Sequence, residues 1–167
     1  MTPIVLLPGL LCSAEIFAPQ VAALWPYGPV TVASTLTGST MEEIAASILG
    51  AAPSRFALAG ISMGGYLSFE ILRQAPERVV KLALLDTSAR PDAPEQTANR
   101  RAILARTESE DFQMLAVTVV MAIFHPDRQG DPQLRAVAER MIASVGLEGF
   151  KRQTEAIIGR PDSVPGL

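Results

Sequence analysis

Short apolar runs alternate with helix-period segments over the first half of the chain, and near residue 90 the apolar runs cease. Pro3 to Leu7 is apolar and is stopped by Pro8-Gly9, which predicts a strand running into a loop. Val30 to Ser34, "VTVAS", Arg55 to Gly60, "RFALAG", and Val79 to Asp86, "VVKLALLD", predict three more strands. A helix is expected over Thr40 to Gly50, opened by "STMEE", where a hydroxyl cap precedes acidic residues of the first turn. From Gly64 onward, the small and apolar positions 64, 67, 68, 71, 72 and 75 share one helical face, and Pro76 ends the segment. Near-continuous apolar strands separated by helices predict a mostly parallel sheet covered on both faces. Right-handed crossovers then make it doubly wound.

The second half carries no strand pattern. Helices are expected over Pro94–Arg106, Glu110–Phe124, Pro132–Ser144 and Leu147–Ile158, punctuated by Gly and Pro. The chain therefore divides into an α/β core over 1–90, a helical block over 91–160, and a polar, proline-containing return segment over 161–167. Phe112, Leu115, Val119 and Phe124 form an apolar stripe that predicts the core of the helical block. Trp25 and Tyr27 are expected to pack against the sheet edge.

Composition narrows the picture. The 167 residues suit one domain, and 49% hydrophobic against 19% charged residues argues against disorder. A net charge of -3, with no basic cluster longer than Arg100-Arg101, gives no reason to expect a nucleic-acid partner. No run approaches the ~20 apolar residues of a membrane span. The apolar N-terminus lacks the basic flank of a secretory signal. A single cysteine, Cys12, excludes an intramolecular disulfide framework and fits a reducing compartment, so a cytoplasmic protein is expected.

The candidate chemistry lies in Gly60-Ile61-Ser62-Met63-Gly64. Five residues of G-x-S-x-G are weak evidence alone, but here a predicted strand precedes them and a predicted helix follows. A serine on such a sharp turn projects its hydroxyl from the carboxyl edge of the sheet, and the helix N-terminus favours an anion developing beside it. Gly60 and Gly64 are expected where side chains would collide with neighbouring backbone. The same residues also suit a serine that merely caps a helix. A phosphate cradle fits less well, because no Gly-Lys-Ser/Thr ending occurs and the first strand leads into "PGLLCSAEIF". Acyl transfer needs two backbone N–H donors for its oxyanion. Met63, after the serine, and Leu10, in the loop behind the first strand, are the candidates. An ordinary Pro-Gly turn is the alternative for that loop.

"PIVLLPGLLCSAEIFAPQ", "FALAGISMGGYLSFEILRQAPERVVKLALLDTSARPD" and the helical block after them resemble an α/β-hydrolase with a helical cap. The likeness is to the group of small carboxylesterases, C–C hydrolases and haloperoxidase-like enzymes. It runs in order through oxyanion loop, nucleophile elbow, following strand and cap, with Pro8-Gly9 standing where His-Gly is usual. The resemblance implies Ser62 as nucleophile, a small ester or related acyl substrate, and no metal or organic cofactor. It also implies an order of Ser, then acid, then His, with the acid and His in strands and loops beyond the cap. The chain is thus expected to correspond to the front two-thirds of such an enzyme. Within it, Asp86 is the candidate acid and His125 the candidate base, although a histidine before Pro126 also suits a helix C-terminus. Cys12 is expected to be a small buried residue at the start of a helix. Weak or no esterase turnover is the expectation. The alternative is a non-catalytic binding protein or fragment derived from this fold, whose open sheet edge would take a second copy or a complementing chain.

Overall fold

The computed structural model describes residues 1–166. Four strands form one parallel sheet in the order β2-β1-β3-β4: β1 (Ile4–Leu7), β2 (Val30–Val32), β3 (Phe56–Ile61) and β4 (Val79–Leu85). Between them run α1 (Ala18–Leu24), α2 (Met41–Ala51) and α3 (Met63–Gln74). The alternation of apolar runs with helix-period segments thus becomes the α/β layer that it predicts. At α2 the expected cap is in place: Glu43 N–H donates to Thr40 Oγ1 at 3.1 Å, and Ser39 N–H donates to the Glu43 carboxylate at 2.7 Å. The periodicity does not mark α1, and the helix expected to start at Cys12 begins later, as a 3₁₀ turn at Ala14–Phe17 that leads into α1. This helix buries none of its residues, so it leaves no amphipathic trace.

The helical block holds α4 (Pro94–Arg106), α5 (Phe112–Met121) and α6 (Pro132–Ile158). The break expected between Ser144 and Leu147 is real. Gly146, with φ 68° and ψ 173°, interrupts the helical backbone of α6. Beyond the break, α6 reaches the sheet's apolar cluster through Ala156 and Ile157.

Two apolar clusters result. One fills the space between β1, β3, α2 and α3, with Leu7, Ile44, Phe56 and Leu67 at its centre, and Ala156 and Ile157 of α6 complete it. The other joins Leu115's neighbours Ala116, Val117 and Met121 to Ile142 and Phe150. Leu11, from the loop after β1, is a member of this second cluster, and Leu10 packs against both.

Two expectations are corrected. Trp25 and Tyr27 do not pack on the sheet edge; they stand 70% and 71% exposed. The sheet is also not covered on both faces at β4, where Leu82 and Leu85 are 41% and 45% exposed. Among the described residues, β4 ends the sheet and no strand pairs with its outer edge.

The strand order reverses between β1 and β3, since β2 lies on one side of β1 and β3 on the other. In open α/β sheets, the crevice beyond the carboxyl ends of the strands at such a reversal is where ligands bind. The loop after β1 and the turn after β3 meet there.

Candidate active site

β3 ends at Ile61 and α3 begins at Met63, so Ser62 alone makes the turn. It does so with φ 52° and ψ -115°, a conformation costly for a residue with a Cβ. The surroundings hold it there. Ser62 N–H donates to the Leu85 carbonyl at 2.9 Å, and the Ser62 carbonyl accepts from Gly65 N–H at 2.9 Å and Thr87 Oγ1 at 2.8 Å. Although Ser62 occupies the N-cap position of α3, its side chain makes no capping bond. The capping alternative is therefore not what the hydroxyl does.

Close packing explains the glycines. A Cβ on Gly64 would overlap the Leu7 carbonyl, and one on Gly60 would overlap the Gly64 carbonyl and Ser68. Gly65 has the same constraint against Thr87. The first turn of α3 consequently sits directly against β1 and β3, with its N-terminal partial positive charge at Ser62.

The loop after β1 runs beside this turn. A Cβ built on Gly9 would lie 3.5 Å from Ser62 Cβ. Cys12 N–H closes the loop onto the Gly9 carbonyl at 3.2 Å, and Leu11 takes a positive φ of 60°. Leu11 N–H donates to Gln153 Oε1 at 3.1 Å, a buried bond from the far end of the chain. Among the described residues, the N–H groups of Leu10 and Met63 donate to no protein acceptor.

The remaining candidates divide. Asp86 follows β4 on the same sheet edge, with φ 44°, and is exposed. Leu11, Ser62 and Asp86 are the positive-φ residues other than glycine, and all three follow strands that end at this edge. His125 does not join them. Its imidazole is 73% exposed and its contacts are local: Asp127 N–H donates to Nδ1 at 3.4 Å, and the Asp127 carboxylate lies 3.7 Å away. The thiol of Cys12 donates to the Leu10 carbonyl at 3.4 Å, and burial, only partly opposed by its Gly9 contact, pushes its pKa up to about 11. A thiol held protonated is a poor nucleophile. Among the described residues, no cluster of three or more His, Cys, Asp or Glu is placed to hold a metal.

Thr87 and Gln153 belong to this construction and are absent from the sequence expectations. Gln153 had a signal. It lies three residues after Phe150 and four before Ile157, a polar residue on an apolar helical stripe. Thr87 had none, because its role depends on β4 lying beside β3.

Comparison of the sequence with family models and with curated proteins found no match. Comparison of the fold with solved structures found many. A thermophilic esterase from Thermogutta terrifontis superposes with a TM-score of 0.82 at 26% identity, over 100% of this chain and 67% of its own. An enol-lactonase from Burkholderia xenovorans superposes with a TM-score of 0.85 at 27% identity, over 98% of this chain and 67% of its own. The chain has an α/β-hydrolase fold. A carboxylesterase structure from Nitrososphaera gargenis, at 16% identity and a TM-score of 0.83, shares that fold over 99% of this chain. The chain thus spans about two-thirds of the length of the structures it resembles.

Proposed function

We propose that this chain carries the nucleophile and oxyanion site of a serine hydrolase for small carboxylic esters or related acyl compounds. One observation carries the reading: Ser62 is held in a strained turn while its hydroxyl caps nothing. Strain of this kind costs about 1–3 kcal/mol and persists where the surroundings impose it. The esterase and enol-lactonase likenesses support an acyl substrate.

In the proposed reaction, Ser62 Oγ attacks the acyl carbonyl and its proton passes to a base. The carbonyl oxygen becomes an oxyanion that accepts from Leu10 N–H and Met63 N–H. Collapse expels the alcohol with a proton, and water then hydrolyses the acyl-enzyme to the acid and free Ser62. His125 contacts Asp127 rather than Ser62, so within the chain the proton must leave to solvent or to an unconventional group. Loss of a triad member lowers the rate by orders of magnitude, yet leaves about 10³–10⁴-fold catalysis over water from the oxyanion hole and binding. Weak turnover is therefore expected.

The test is hydrolysis of p-nitrophenyl acetate by the purified chain beside its Ser62→Ala variant. Slow turnover that vanishes in the variant supports the reading. Equal rates in the two proteins overturn it.

A second reading, an interaction protein built on the same fold, is favoured by β4. The exposed Val80, Leu82, Leu84 and Leu85, on a strand paired only with β3 among the described residues, suit addition of a strand from a second copy or a complementing chain.

A further inference from the structure

We infer that Gln153 is a positioning residue for the oxyanion loop: its buried amide, braced by Thr35, holds the Leu10–Leu11 backbone beside Ser62. The catalytic consequence rests on the serine-hydrolase reading, whereas the anchoring itself does not. Gln153 is completely buried, and both ends of its amide are engaged. Oε1 accepts from Leu11 N–H at 3.1 Å, while Nε2 donates to Thr35 Oγ1 at 2.9 Å. Thr35 follows β2 and is itself buried, so the amide is fixed from the sheet side as well as by α6.

The loop needs an outside anchor. Gly9 and Cys12 close it by a single backbone bond, and Leu11 sits at a positive φ that a leucine does not adopt unaided. Leu11's side chain is buried in the helical cluster, so rotating its peptide to relieve φ would strand a buried N–H. The peptide joining Leu10 to Leu11 is thereby locked; the N–H of Leu10 lies in the preceding peptide, whose Gly9 carbonyl accepts from Cys12 N–H, so the two bonds hold Leu10 from both sides. An oxyanion donor acts only if its geometry is set before charge develops. Gln153 reaches this loop across 142 residues of sequence, which places control of the loop in the helical block.

The experiment uses the full chain and two variants. Gln153→Leu keeps the volume and removes both bonds. Gln153→Glu retains an acceptor for Leu11 N–H and, because the Thr35 hydroxyl can rotate to donate, a partner for Thr35. Amide hydrogen exchange is read by NMR at Leu10, Leu11 and Cys12, with Val5 of β1 as the measure of an intact core. Exchange at Leu11 is expected to rise at least tenfold in Gln153→Leu, with Val5 unchanged, and to return toward the parent rate in Gln153→Glu. In the p-nitrophenyl acetate assay, the Ser62-dependent kcat is expected to fall about tenfold or more in Gln153→Leu with KM held, and to recover in Gln153→Glu.

An unchanged Leu11 exchange rate overturns the anchoring. A faster rate with kcat unchanged overturns the positioning role. Parent turnover that survives Ser62→Ala overturns the serine-hydrolase reading instead, and the exchange result alone then decides the anchor. Should Gln153→Leu fail to fold, Thr35→Val removes only the far brace and must also speed exchange at Leu11; an unchanged rate there overturns the inference.

Discussion

At the scale of single residues, Ser62 combines a strained backbone with a free hydroxyl, and these have opposite consequences for stability and activity. Ser62→Gly relieves the positive φ, a gain of about 1–3 kcal/mol, against about 0.5–1 kcal/mol for the added freedom of the unfolded glycine. The variant is expected to be more stable by about 1 kcal/mol, read as a higher urea midpoint at constant m, and to lose all Ser62-dependent turnover. A lower midpoint would show that the turn is not strained. The spacing of Gly60 and Gly64 around the serine was legible from the strand-to-helix pattern, although the contact that bars a side chain at Gly64 comes from Leu7 of β1. The positive φ of Leu11 and Asp86 was not, since neither residue type advertises that conformation. His125 shows the reverse limit: Ser62, Asp86 and His125 stand in the expected order along the chain, yet the fold leaves the imidazole in its own exposed turn.

Between elements, the main polar tie is the contact of Asp92 with Arg100 and Arg160. The Asp92 side chain is 1% exposed, and Arg160 bonds it at 2.7 Å. Arg160 also donates to the Arg90 carbonyl and the Ile157 carbonyl, and its guanidinium lies 4.0 Å from the centre of the Tyr66 ring. This one side chain therefore joins the segment before α4, the end of α6, and α3. Asp92→Ala would leave a buried guanidinium unpaired, which costs about 3–5 kcal/mol. The urea midpoint should fall accordingly, and a loss below ~1 kcal/mol would mean that the tie is replaceable. Burial pulls the Asp92 carboxyl up, but hydrogen bonds from Arg100 and Arg160 outweigh it and hold its pKa below the usual value. A depressed folded pKa contributes stability that is fully present above the unfolded value of ~3.9 and is lost as pH falls through the folded one. The stability gap between parent and Asp92→Ala should thus be constant above that value and narrow on further acidification. The segments after Gly64 and Pro94 were legible from period and punctuation, as was the break at Gly146. The Arg160 tie was not, because an arginine beside a proline reads as solvent-facing.

For the whole molecule, the proposed strand addition rests on the exposed apolar residues of β4, the last strand of the sheet among the described residues. Its apolar side chains and free backbone groups favour strand addition, so the mass measured by light scattering should rise with concentration. Leu84→Lys, on the exposed strand, should hold the chain monomeric without unfolding it; concentration-independent mass in the parent would remove the edge-pairing reading. The sequence by itself determined the parallel α/β layer, the serine at a strand-to-helix turn and the helical block, because strand and helix periods and turn punctuation are local. Only the tertiary structure decided that the loop after β1 lies against Ser62, that Gln153 and Thr87 brace the two turns, and that His125 stays apart. These depend on contacts between residues far separated in sequence, and the chain's local pattern is the same whether they form or not.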